Sequence, residues 1–227
     1  MPDAALLHAP GLPERLQQWL AAGWLRGIDA ALAALLAEQG GEVDETVLLL
    51  AALTSYTVGD GHTRLGLDAA IREPARLWTD STIVSDGAKT PIDWLAGLDL
   101  DTARARLADS DAIETIDTDP AETRLTTPLV LHGNALYLRR YWANGQLIEQ
   151  ALTERLQDEE TAIPALRERL DTLFPPEGRD PDWQRVACAL ATRSRFTLIT
   201  GGPGTGKTRT VLRLLGLLQA QRMDADP

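Results

Sequence analysis

Apolar positions recur every three to four residues near the start of the chain. In LPERLQQWLAAGWLRGIDAALAALLAEQGG, Leu16, Leu20, Trp24, Ile28 and Leu32 fall at i+4 spacing on one stripe. That period predicts one helical stretch, and Gly40 and Gly41 supply its stop. Asp44 is placed to cap a second helix with Val47 to Leu53 as its apolar body. In YTVGDGHTRLGLDAA, Gly59, Gly61 and Gly66 mark a loop. Asp68 then caps a further helix that ends before Pro74. Short helices follow near Trp78 and over TPIDWLAGL. A third, in DLDTARARLADSDAIETI, leads into a short strand, and a linker surrounds Pro120.

The pattern changes at Pro128. In PLVLHGNALYL, apolar residues flank His132, Gly133 and Asn134, which predicts a β-hairpin with a Gly-Asn turn. A helix from about Tyr141 to Gln157 should turn Leu147, Ala151 and Leu152 toward a core. IPALRERLDTLFP predicts another helix, ending at Pro175–Pro176. PPEGRDPD reads as a linker and places a domain boundary near residue 178. Beyond it the order is helix (Trp183 to Arg193), an uncharged strand FTLIT (196–200), a glycine-rich loop, and a helix with Val211, Leu214, Leu215 and Leu218 at helical spacing. No internal repeat is visible.

Composition narrows the class. The chain has 227 residues, 44% hydrophobic and 24% charged, as in a folded protein and not a disordered one. No apolar run reaches the roughly 18–20 residues of a membrane span, and the N-terminus lacks a basic region before an apolar core. The single cysteine, Cys188, rules out an internal disulfide and a thiolate zinc cluster. A reducing cytoplasm is the expected compartment.

Charge divides the chain unevenly. Residues 1–180 carry 15 Lys+Arg against 30 Asp+Glu, a net of −15, whereas residues 181–227 carry 7 against 3, a net of +4. An acidic body repels a phosphodiester backbone, so the first part is not a general nucleic-acid coat. The last segment can face an anion. Only two residues are lysines, Lys89 and Lys207.

Lys207 lies in the segment with the clearest chemistry. Gly201-Gly202-Pro203-Gly204-Thr205-Gly206-Lys207-Thr208 fits G-x-x-x-x-G-K-[ST]. Glycines let backbone N–H groups converge on an anion without Cβ obstruction. The following helix offers unpaired N–H groups and a positive dipole end. Lys207 is expected to meet the β- and γ-phosphates of ATP as a point charge, and the Thr208 hydroxyl to take one position on Mg²⁺. Lys207 and Thr208 are thus the candidate catalytic pair.

Other residues favour plainer roles. His62 and His132 lack ligand partners at metal-binding spacing and read as turn and strand-end residues. Cys188 reads as a small buried hydrophobe beside Val186 and Leu190. Trp19 and Trp24 belong to core or interface, and Trp183 adjoins Gln184. The acidic run at 158–160 reads as a solvated helix end that disfavours DNA and suits a basic partner.

DPDWQRVACALATRSRFTLITGGPGTGKTRTV resembles the start of the motor core of superfamily 1 DNA helicases. The upstream segments TPLVLHGNALYLRRYWANGQLIEQAL, LDTLFP and YTVGDGHTRLGL make the chain similar to the RecD family, the alpha subunits of exodeoxyribonuclease V. The resemblance implies an α+β N-terminal domain (1–178), mostly helical with a hairpin. The first βα unit of a P-loop, RecA-like helicase domain (179–227) would follow. It implies ATP contacts from Gly201 through Thr208, Mg²⁺ at Thr208, and adenine recognition by Gln184, 17 positions before Gly201. It implies docking of the first domain on RecC in a heterotrimer with RecB. That complex would act on double-stranded DNA ends, with 5′→3′ movement along single-stranded DNA by the complete motor.

Arg209 departs from the small hydroxyl residue usual in that family. No Asp-Glu Walker B motif, arginine finger or second motor domain follows, although phosphoryl transfer needs a carboxylate for the metal–water and a cation. On that reading the chain is truncated and does not hydrolyse ATP usefully alone. Two alternatives stand beside it: a stand-alone P-loop ATPase of the RecD2 type, and a non-hydrolysing docking module.

Overall fold

The apolar stripe at the start of the chain does not run through one helix. In the computed structural model, which describes residues 11–40, 44–78, 89–116, 127–156, 165–175 and 181–225, helix α1 (Glu14–Ala21) buries Leu16, Trp19 and Leu20. It ends at Gly23, whose φ of +73° favours glycine. The Gly23 N–H donates to the Leu20 carbonyl and the Trp24 N–H to the Trp19 carbonyl, each at 3.0 Å. This pair of bonds is a Schellman closure. α2 (Gly27–Gly40) starts afresh, and Ile28 is 69% exposed instead of continuing the stripe. The single-helix expectation is corrected by that glycine.

α3 (Glu45–Gly59) is capped as expected, the Asp44 side chain accepting from the Thr46 N–H at 2.7 Å. Every residue from Val47 to Ser55 is buried. At roughly 1.5–3 kcal/mol per buried Leu side chain, Leu48, Leu49, Leu50 and Leu53 make this helix the centre of the core. Between α2 and α3 lies a buried ionic knot. Asp29, fully buried, accepts from Arg26 Nε at 2.9 Å, Arg26 Nη2 at 2.7 Å and the Ser55 hydroxyl at 2.7 Å. These bonds hold the Arg26 guanidinium above its ordinary pKa.

The sheet has four strands in the order β1–β4–β3–β2. β3 (Leu129–His132) and β4 (Ala135–Leu138) form the expected hairpin, with His132 opposite Ala135 and Gly133 at φ +56° in the turn. β2 (Ile113–Ile116) adds parallel to β3, with Ile113 opposite Leu129. β1 (Leu65–Gly66) pairs antiparallel with β4 inside the segment expected to be loop. α4 (Leu67–Arg72), a 3₁₀ turn over Pro74–Trp78, α5 (Pro91–Ala96) and α6 (Leu100–Ala108) complete this part. α5 begins with a capping box between Thr90 and Asp93. Trp19 meets Trp94 edge-on at 5.8 Å and donates from Nε1 to the Lys89 carbonyl at 3.1 Å.

α7 (Arg139–Leu156) leaves β4 at once. The Arg139 guanidinium bonds the Glu114 carboxylate at 2.6 Å and the Thr127 carbonyl at 2.8 Å, and Trp142 is buried against Tyr137. Leu147 was expected toward a core but is 65% exposed, while Ala151 and Leu152 are half-buried. Helical period fixes which side chains share a face; it does not supply a neighbour to cover them.

The chain forms two compact units, Met1–Gln146 and Leu147–Pro227. The second contains α8 (Leu166–Leu173), α9 (Trp183–Ala191) and α10 (Lys207–Ala225). Leu170, Phe174, Cys188 and Leu217 form its buried cluster. The strand expected over 196–200 is not formed: none of the described residues pairs with it, and Phe196 and Leu198 are 40% and 76% exposed. A strand exists only through its ladder, and this run has no ladder partner among the described residues. The molecule is therefore mostly helical with one small mixed sheet. The linker around Pro120, the acidic run at 158–160 and residues 176–180 of the second linker lie outside the described residues.

Candidate functional site

The glycine-rich segment folds as a turn that runs directly into α10. Gly204 and Gly206 hold φ of +77° and +80°, values that side chains with a Cβ adopt at a penalty. Close approach constrains Gly201 as well. A Cβ there would come within 2.7 Å of the Thr205 hydroxyl, and at Gly206 within 2.5 Å of Gln184 Nε2. A side chain at either position would therefore displace a neighbouring side chain of the loop or of Gln184.

Lys207, the first residue of α10, turns back over the loop. Its ammonium donates to the carbonyls of Gly201 and Gly202 at 2.6 and 2.5 Å. Thr205 donates its hydroxyl to the Gly202 carbonyl at 2.9 Å. Among the described residues, no acceptor takes the N–H groups of Gly202, Gly204, Thr205 or Gly206. Those amides, with the first-turn amides of α10, remain available to an anion. Thr208 is exposed on the same first turn. Among the described residues, no group of three or more His, Cys, Asp or Glu could hold a metal ion.

The helix start at Asp182 places Gln184. The Asp182 carboxylate accepts from the Gln184 and Arg185 N–H groups at 2.9 and 3.2 Å. Gln184 then donates from Nε2 to the Thr205 carbonyl at 3.3 Å. Trp183 next to it is 74% exposed. The fold therefore brings together Gln184, the glycines, Lys207 and Thr208, although Gln184 is engaged with the loop itself. From below, the loop is tied to α10 by Thr210, whose N–H and hydroxyl donate to the Gly206 carbonyl at 2.9 and 3.1 Å. Cys188 is fully buried, its Sγ 3.5 Å from the Thr210 carbonyl, and burial pushes its thiol pKa up.

His62 and His132 serve local structure. The His62 N–H donates to the Thr57 carbonyl at 3.1 Å, closing α3. The His132 ring lies 4.8 Å from that of Trp142 at a strand end. One feature escaped sequence reading: Arg213 lies over the Phe174 ring at 4.4 Å. The pairing of a half-buried arginine with an aromatic residue 39 positions away leaves no local signal.

No helix among the described residues is long and apolar enough to cross a membrane. Residues 184–226 match the family described as AAA domain. The chain is similar to the RecBCD enzyme subunit RecD of Mycobacterium tuberculosis (strain CDC 1551 / Oshkosh), with 31% identity over 95% of this chain and 32% of that protein. It is also similar to the protein of that name from Haemophilus influenzae, with 41% identity over 40% of this chain and 15% of that protein. In Mycolicibacterium smegmatis the corresponding figures are 40%, 41% and 16%. The chain thus spans at most about a third of the length of these relatives. Residues 21–137, more than half of the chain, match the family described as RecBCD enzyme subunit RecD, N-terminal domain, and the chain belongs to that family.

Proposed function

We propose that this chain provides the subunit-docking domain and the ATP-binding loop of a RecD-type, ATP-dependent 5′→3′ DNA helicase subunit. It would act with RecB and RecC on double-stranded DNA ends in recombinational repair, in the cytoplasm. One observation carries the nucleotide part: the tight loop at the start of α10, with unclaimed amides and an ammonium folded over it. Residues 1–178 form the docking part in this reading, and residues 179–227 the start of the motor. The matches over residues 21–137 and 184–226 support one part on each side of that boundary, while α8, within 165–175, packs with α9 and α10 in the second compact unit.

The residues present fit ATP with Mg²⁺. At Gly201 and Gly206 a Cβ would crowd Thr205 and Gln184, and glycine there leaves the backbone open to close approach by phosphates. Lys207 would exchange its two carbonyl bonds for phosphate oxygens, and Thr208 would offer its hydroxyl to Mg²⁺. When bound, the ion supplies charge neutralisation between phosphates. Gln184, at the loop's edge, is the residue to read adenine, because one amide can donate and accept.

Binding of a fluorescent ATP analogue with Mg²⁺ tests this. Wild-type chain should bind and Lys207→Gln should lose binding; equal affinity in the two would overturn the reading. A RecC pull-down that requires residues 1–178 and is indifferent to ATP is expected for the docking part. Failure of those residues to capture RecC would remove it.

A further inference from the structure

We infer that Phe174, at the end of α8, is a positioning residue for the phosphate loop. It would act by clamping the two helices between which the loop is held. The inference rests on the ATP reading above and concerns the same site.

The loop has two supports. On one side Gln184, at the start of α9, bonds the Thr205 carbonyl. On the other, α10 begins at Lys207, and Thr210 bonds the Gly206 carbonyl twice. The loop keeps its shape only if α9 and α10 keep their mutual setting. α9 packs directly on α10, and near the loop that setting is held by the Gln184 bond and by Cys188, whose Sγ lies 3.5 Å from the Thr210 carbonyl.

Phe174 adds a constraint from the third helix. Its ring is 2% exposed and packs with Cys188 of α9 and Leu217 of α10 in one cluster. Arg213 of α10 lies over that ring at 4.4 Å, a cation–π contact. Thr210, Arg213 and Leu217 recur at helical spacing, so one face of α10 is seated on α9 and α8. Asp171 of α8 pairs with Arg185 of α9 at 2.5 Å and ties the third helix to the second. A shift of α10 against α9 by one ångström would stretch the 3.3 Å Gln184 bond beyond hydrogen-bond range. It would also re-aim the first-turn amides.

The test uses the whole chain, Mg²⁺ and a fluorescent ATP analogue. Dissociation constant, binding stoichiometry and thermal melting are read separately. Phe174→Leu keeps an apolar side chain and removes the ring. Arg213→Gln removes the charge from a half-buried position, and Arg213→Lys restores it. Loss of a single loop hydrogen bond corresponds to up to about tenfold in affinity. The expected result is therefore an affinity loss of about tenfold in Phe174→Leu and in Arg213→Gln at unchanged stoichiometry, with Arg213→Lys close to wild type. If Phe174→Leu does not fold, Arg213→Gln alone decides. Wild-type affinity in the folded variants overturns the inference, even where stoichiometry or melting temperature falls. Lys207→Gln separates the two ideas. If it abolishes binding while the Phe174 and Arg213 variants bind normally, only the clamp is lost; if it binds normally, the ATP reading falls and the clamp with it.

Discussion

Replacing Gly206 by alanine probes the loop where it is tightest. Gly206 holds φ +80°, where an L-residue is disfavoured by roughly 1–2 kcal/mol. The new Cβ would stand 2.5 Å from Gln184 Nε2, so that amide must withdraw. Its bond to the Thr205 carbonyl contributes about 0.5–1.5 kcal/mol. The two effects total about 1.5–3.5 kcal/mol. A free loop can relax away from this strain, whereas a loop closed on phosphates cannot. The loss therefore falls on binding, as an affinity about 10- to 400-fold weaker. Gly204→Ala is the internal comparison: its φ is +77° but no atom lies within 4 Å of the new Cβ. Only the backbone penalty applies there, about 5- to 30-fold. Gly216→Ala, inside α10 and in open space, should leave binding unchanged and raise stability by about 0.5–1 kcal/mol. Calorimetric titration with an ATP analogue and Mg²⁺ reads all three. Should Gly206→Ala bind as tightly as Gly216→Ala, the steric account of the loop is wrong.

Three further outcomes are expected. Asp29→Asn removes the charge from a fully buried carboxylate whose partner Arg26 is 43% exposed; solvent screening holds the loss to about 2 kcal/mol, and a urea midpoint unchanged from wild type would refute it. Asp93 is held below the usual carboxylate range by the Thr90 hydroxyl and amide, and Asp99 by the Thr102 amide and hydroxyl. Their stabilisation is full above the unfolded value of about 3.9 and fades as pH falls through the lower folded values. Asp99→Asn should therefore weaken the protein at pH 7 and flatten its acid unfolding below about pH 4, followed by circular dichroism. Cys188, buried and with its thiol pKa raised, should react with a thiol reagent at pH 8 only after denaturant is added; rapid reaction in the native state would contradict the packing of α9 on α10.

The parts legible from sequence are those written in local chemistry. Asp44 caps its helix because a short acidic side chain reaches the amide two residues on. The Gly133–Asn134 turn fixes the hairpin register. The glycine-rich segment 201–208 stood out through spacing alone, and Gln184 bonds its Thr205 carbonyl. Features decided by distant partners stayed hidden. β1 has two residues, too few to show alternation, and exists because β4 offers an edge. Gly23 looked like an ordinary helix interior until its left-handed φ ended α1. Buried Asp29 depends on Ser55, 26 residues away, as well as on Arg26. Leu147 and the 196–200 run failed in the opposite direction. Their apolar patterns called for neighbours that the described residues do not provide.

The resting posture of Lys207 also shapes what the loop can accept. Its charge is already solvated by two peptide oxygens, so an incoming anion must outcompete both before it gains anything. Chloride, or one small monoanion, brings too little charge density and too few acceptors to win that exchange. A chain of linked phosphates can claim the ammonium and the free amides in one event. On the proposed ATP reading, selectivity for polyphosphates over simple salts would be set before any part of the base or sugar is recognised.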